Sequence, residues 1–402
     1  MTAPGDRRHP DLERFLEPER KAVLRALPAV ISVVFALLTV LGMVLLRPTG
    51  EERPDLSEIG VNPQVHDAVV DSAETGRCSY APDDPSLSCM SVVFRLTTGP
   101  DVGRVVSMEF GVGPTTPGFS EGDRVVMDYQ PGADPDFQYR FYDRQRRPVL
   151  LVVTLLFVIV VVALGRLRGL AALIGLAASV VVLMQFIVPS IIDGRSPVMV
   201  AMVGASAIAY LALYAAHGFT RMTTVALLGT LAALGMTVVL SWVALAAAQL
   251  SGFAAEEAFI LTLAGEIDIG GLVLAGVVLG SMGAIDDVTV TQASAVWELK
   301  AAAPSLGWRE LFVRSLRVGR DHIASMVNTL LLAYAGASMP LLLFFVLSNQ
   351  SLGTVLNTEV VATEVLRTLL GSIGLVAAVP ATTWLASVTA AELRPEDLHH
   401  GH

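Results

Sequence analysis

The stretch Gly280-Ser-Met-Gly-Ala-Ile-Asp-Asp-Val-Thr-Val-Thr-Gln-Ala-Ser-Ala-Val-Trp-Glu-Leu299 decides how the chain is read. It starts as a glycine-rich apolar helix, takes on two adjacent carboxylates, and continues as a helix with a polar stripe. From Asp287, steps of four, three and four reach Thr291, Ser294 and Glu298, which places all of them on one helical face. Two aspartates at the end of so apolar a run need protein, ion or water around them. A charge at a bilayer centre costs at least ~2.5 kcal/mol even on lenient insertion scales.

Composition sets the class around this segment. Of 402 residues, 53% are hydrophobic and 16% charged, and the mean hydropathy is +0.62. A run of ~20 apolar residues crosses the ~30 Å hydrocarbon core as a helix, and such runs recur along the chain. The expected fold is therefore an all-α polytopic membrane protein whose first partner is the lipid bilayer. The net charge of −10 carries little information about soluble partners, and no basic, aromatic-interleaved surface points to nucleic acid.

Residues 1–26 are polar and hold Arg7, Arg8, Arg14, Arg20, Lys21 and Arg25, so they read as a cytoplasmic segment before a retained first span at 27–46. Residues 47–147 then read as a small extracytoplasmic β-rich domain, a barrel or sandwich. Its β-type runs are Ser91–Thr97, Arg104–Phe110, Arg124–Tyr129 and Phe137–Tyr142, separated by Gly, Pro and Asp turns. Cys78 and Cys89, the only cysteines, fall in this domain. A disulfide closing a short loop leads over free thiols or a two-thiolate metal site, and would contribute roughly 2–3 kcal/mol.

The multi-span core is expected over 148–388, followed by a cytoplasmic tail at 389–402. Spans read at about Val149–Leu164, Leu170–Ile192, Val198–Ala215, Met222–Leu250, Gly270–Ala295, Ile323–Leu347 and Val365–Ser387, which makes about eight in all with the first. Basic loops at Arg166–Arg168, His217–Arg221 and Lys300–Arg320 fall inside, and loops without lysine or arginine at 251–257 and 349–364 fall outside. Both termini are then cytoplasmic. Glu266, Asp268 and Gly270-Gly271 interrupt the start of the sixth span and predict a half-helix or re-entrant turn there. Gly276 and Gly280 give a small-residue face suited to close helix packing and to a homo-oligomer.

The seventh span carries a second polar stripe, Asp321, Ser325 and Asn328. Counting 1.5 Å per residue from Gly270, Asp287 lies about 25 Å in, near the inner boundary. The two stripes are expected to face one inner cavity. Asp287, with Thr291, Ser294 and Asn328, would bind a proton or cation, and Asp321 and Ser325 would line its path. Asp286, Glu298, Glu266 and Asp268 are secondary candidates. The competing account makes Asp287 a solvated helix end and Asp321 a helix-start salt bridge.

Several of these segments resemble one known family. They are Gly280-Ser-Met-Gly-Ala-Ile-Asp-Asp-Val, Ala293-Ser-Ala-Val-Trp-Glu-Leu, the run from Arg317-Val-Gly-Arg-Asp-His through Asn328-Thr to Pro340, and Gly371-Ser-Ile-Gly-Leu-Val. They resemble the YibE/F-like family of bacterial multi-pass membrane proteins over roughly the C-terminal two-thirds. The resemblance implies one span, an outer domain and a multi-span core, in an inner-membrane protein often supposed to be a transporter. In that family's pattern a single aspartate corresponds to Asp287, and the position of Asp286 is usually not acidic.

Phosphate-binding glycine loops, His-Glu-x-x-His and Gly-x-Ser-x-Gly are missing, which argues against an enzyme. No cofactor is expected beyond proton or cation coupling. The preferred expectation is a secondary transporter or permease for a small solute or ion. The alternative is a non-transporting assembly or sensor protein whose outer domain recognises a partner.

Overall fold

A computed structural model describes residues 10–50, 64–84, 86–253, 256–264, 267–348 and 350–392. Its contacts divide the chain into two units, residues 54–161 and residues 1–53 with 162–402.

The smaller unit is one antiparallel sheet of five strands: β1 (Gln64–Arg77), β2 (Ser88–Leu96), β3 (Val105–Gly111), β4 (Arg124–Tyr129) and β5 (Tyr139–Arg144), in the order β3-β2-β1-β4-β5. Every second residue of β2 and β4 turns inward, so Val92, Phe94, Leu96, Val125 and Met127 are buried together. Phe110 and Phe141 sit on opposite edge strands, yet their rings lie 6.0 Å apart. The sheet is therefore curled into a half-barrel whose open side is closed by aromatic side chains, with Phe119 filling the mouth. Cys78 and Cys89 form a disulfide across the β1–β2 hairpin.

Four of the five strands match the expected runs; the central strand β1 does not appear among them. Its sequence carries Asp, Ser, Glu and Thr on both faces, and a bulge between Val70 and Ser72 breaks the two-residue period that would mark it. The Tyr139 hydroxyl donates to Asp101 at 3.0 Å, and Arg104 reaches the same carboxylate at 3.2 Å. Burial first, then the Asp101 carboxylate, push the Tyr139 phenol up to about 12.

The larger unit is helical. Its elements are α1 (Pro10–Leu45), α2 (Arg147–Val182, of which 162 onward belongs here), α3 (Val188–Ile192), α4 (Pro197–His217), α5 (Arg221–Ala248), α6 (Glu256–Ala264), α7 (Ile269–Ala302), α8 (Trp308–Ala337), α9 (Met339–Leu347), α10 (Leu352–Leu356) and α11 (Glu359–Ala391). Local chemistry sets their ends. Thr220 caps α5 by accepting from the Thr223 amide at 3.0 Å, and left-handed Gln249 ends it. Lys300, buried in the last turn of α7, donates to the carbonyls of Pro304 and Leu306 at 2.8 and 3.0 Å, where the helix dipole favours a cation. Asp193, in the turn after α3, accepts from the Thr49 amide and hydroxyl at 2.5 and 3.0 Å. Burial there opposes ionisation, but these donors outweigh it and hold the Asp193 carboxyl below its ordinary range.

Asp268 is placed by the same logic. The chain breaks before α7 as expected, and Asp268 is the cap of that helix, accepting from Gly271 N–H at 2.9 Å. That gives it a structural task at the helix start. Glu266 lies outside the described residues.

Six helices are long and apolar enough to cross a membrane, by length and composition: Ala26–Leu45, Arg147–Ile192, Pro197–His217, Arg221–Ala248, Ile269–Ala302 and Glu359–Ala391. A seventh is added if α8 and α9, bent by 66° at Ser338 just before Pro340, count as one span. The run Arg147–Ile192 has 46 residues, about 69 Å of helix and twice a hydrocarbon core. It is interrupted at Arg166, whose φ of 52° and ψ of −132° are not helical.

Candidate functional site

Helices α5, α7 and α11 form the centre of the larger unit, and their shared interior is unexpectedly polar. On α7 the inward residues are Ser281, Ile285, Val288, Thr289, Gln292 and Val296, so a polar stripe is threaded through the apolar face. The Thr230 hydroxyl of α5 lies 2.8 Å from that of Thr289, both fully buried. Further along, the Thr383 hydroxyl of α11 lies 2.9 Å from Gln292 Oε1 and 2.6 Å from the Val379 carbonyl of its own helix.

Close approach makes this seam possible. A Cβ on Gly229 of α5 would collide with Thr382 of α11, and a Cβ on Gly374 of α11 would collide with Thr237 of α5. Each helix thus offers a glycine socket to a threonine of the other. The order of the two contacts shows that α5 and α11 run antiparallel. Gly319 of α8 is a third such socket, receiving Val379 and the Gln292 amide.

Asp286 enters this seam from α7. It interacts with the Thr230 hydroxyl, its own carbonyl accepts from Thr289 Oγ1 at 3.0 Å, and its Oδ1 is buried with no hydrogen-bond partner among the described residues. The buried hydroxyls of Ser241, Thr382 and Ser387 share that condition. A buried polar atom without a partner costs about 1–3 kcal/mol, so a group of them in one interior calls for a reason.

Nearer the start of α7, Gly276 and Gly280 face the chain itself. A Cβ on Gly280 would come within 2.5 Å of the Tyr334 hydroxyl of α8, and one on Gly276 within 3.6 Å of the Arg367 guanidinium of α11. Within the chain, this small-residue face meets these two side chains. Arg367 pairs with Glu364 at 3.1 Å. Tyr334 and Glu364 also line a cavity of about 220 Å³ with mostly apolar walls.

The expected stripes lie elsewhere. Asp287 is exposed, and the Thr291 hydroxyl turns back to the Asp287 carbonyl at 2.7 Å. Ser294 lines a separate cavity with Arg168, His217 and Thr220. Glu298 is exposed. Asp321, Ser325 and Asn328 are all exposed on α8, and among the described residues no hydrogen bond or ion pair joins them to Asp287, Thr291 or Ser294. Sequence reasoning passed over Thr230, Thr289, Gln292, Thr382 and Thr383. Asp286, Thr289 and Gln292 do recur at steps of three, a second polar stripe beside the one that starts at Asp287.

A family model described as YibE/F-like protein covers residues 153–392, which includes α3 to α11. No curated protein and no solved structure matches the chain.

Proposed function

We propose that this chain, which belongs to the YibE/F-like family, is a secondary transporter or permease for a small solute or ion that uses Asp286 as its proton or cation site. Asp286 Oδ1, buried and unpartnered beside the Thr230 and Thr289 hydroxyls, carries the reading. An ionisable side chain inside a membrane helix is expensive and points to a pathway by default. Hydroxyls and a carboxylate together are the oxygen set that hard cations take, and a lone carboxyl is what a proton takes. Asp286 thereby replaces Asp287 as the leading residue, because Asp287 faces outward.

In this reading the break at Arg166 is a turn between two crossings, and α8 with α9 is one crossing. The count is then eight, with both termini in the cytoplasm of a bacterium and the β half-barrel outside. The Arg367–Glu364 pair and Tyr334 stand between the outer end of α7 and Asp286, where a gate would be needed.

The test is thermal melting of the detergent-purified chain across alkali and alkaline-earth cations and across pH. A cation at a hundred times its dissociation constant stabilises the folded state by ~2.7 kcal/mol. The stabilisation is expected in wild type and in Asp287→Asn, and lost in Asp286→Asn. If Asp286→Asn keeps it while Asp287→Asn loses it, the site belongs on the exposed face. Equal behaviour of all three proteins sinks the assignment to either aspartate.

A further inference from the structure

We propose an oxyanion-binding site where the α4–α5 turn, the segment after Arg166 and the middle of α7 meet. A cavity of about 830 Å³ opens there, and its walls include Arg168, His217, Thr220, Met222 and Ser294. The inference goes beyond the carrier reading, since the site would bind its ligand whether or not anything is transported.

Charge is the first argument. Arg168 and His217 both face this cavity, and no carboxylate lines it. Among the described residues neither side chain makes an ion pair or a hydrogen bond, so both are free to meet a ligand. Asp287 lies a turn from Val290 on the same helix but does not belong to the walls. A guanidinium and an imidazole donor around one hollow, with no protein carboxylate between them, is an arrangement that an external anion completes.

The walls supply the rest of the recognition chemistry. Thr220 and Ser294 contribute hydroxyls. Thr220 is also the cap of the 28-residue α5 and Met222 lies in its first turn, so the positive end of that helix borders the hollow. A guanidinium offers paired donors to a tetrahedral or planar oxyanion, and charge-assisted bonds of that kind are the strong ones. The ligand class is thus phosphate or a phosphate-bearing group, either a free solute or the headgroup of an anionic lipid.

The experiment uses the full chain in nanodiscs and reads its melting temperature. In phosphatidylcholine discs, potassium phosphate is compared with potassium chloride at equal ionic strength. In a second arm without phosphate, the discs are doped with phosphatidylglycerol. A rise with phosphate identifies a free oxyanion as ligand, and a rise with phosphatidylglycerol alone identifies a headgroup. Either rise is expected to vanish in Arg168→Gln/His217→Gln and to persist in Arg309→Gln, a basic residue outside the cavity. Should the double variant fail to fold, Arg168→Gln alone removes no internal contact and is expected to weaken phosphate or headgroup binding roughly tenfold. No rise in either arm, or a rise that survives the Arg168 substitution unchanged, overturns the proposal.

Discussion

Consecutive residues on a helix point about 100° apart, so of two adjacent aspartates at most one can enter a given interface. Asp286 is the one turned toward α5, and Asp287 is left exposed. The spacing from Asp287 marks a real stripe, but Asp287 and Glu298 are exposed while Thr291 and Ser294 are half-buried, and Ser294 lines the cavity beside the α4–α5 turn. Periodicity tells which residues share a face and not which way that face turns; packing against α5 and α11 settles this. At the same scale Tyr139 gives a pH prediction. Its phenol is raised from the ordinary value near 10 to about 12 in the folded sheet, so the stabilisation is complete below pH ~10 and is lost as pH climbs through about 12. Ultraviolet titration of the full chain should show late-forming tyrosinate, and Tyr139→Phe should lower the late amplitude by one residue. A Tyr139→Phe curve with an unchanged late amplitude would assign that step elsewhere.

Among the elements, the glycine–threonine contacts make the sharpest claim. Gly229→Ala forces a Cβ onto Thr382 in an interior that is already close-packed, and such overpacking costs about 1–3 kcal/mol. Melting of Gly229→Ala should fall accordingly, and Thr382→Ala in the same chain should recover most of the loss. Additive losses would show that the two residues do not meet. Much at this scale was legible in the chain. The long apolar helices, four of the five strands and the break before α7 follow from hydropathy, β-type runs and turn residues. β1 was not, because a central strand with a bulge and polar residues on both faces has no two-residue period to find. The sockets were half legible: small residues at steps of four announce close approach, but the partner they receive lies tens of residues away. Gly276 and Gly280 announce close packing, and their intrachain neighbours are Arg367 and Tyr334.

The number of membrane crossings is a property of the whole molecule. The 46-residue run with its non-helical Arg166 is too long for one crossing, and the eight-crossing reading makes residue 167 emerge on the same side as residue 219. Leu167→Cys and Phe219→Cys should then react alike with a membrane-impermeant maleimide, and Phe253→Cys should react from the opposite side. Leu167 and Phe219 are 82% and 89% exposed, and the native cysteines are consumed in the disulfide, so the background is silent. Opposite labelling of the 167 and 219 reporters would remove a crossing. The sockets also bear on mechanics at this scale. A helix seated in a neighbour's notch cannot glide; it must lift out or jump a full turn. With α5, α7, α8 and α11 indexed to one another in this way, the block behaves as a stator, and the compliance left to the molecule is flexural, concentrated at the Ser338 elbow and the Arg166 break.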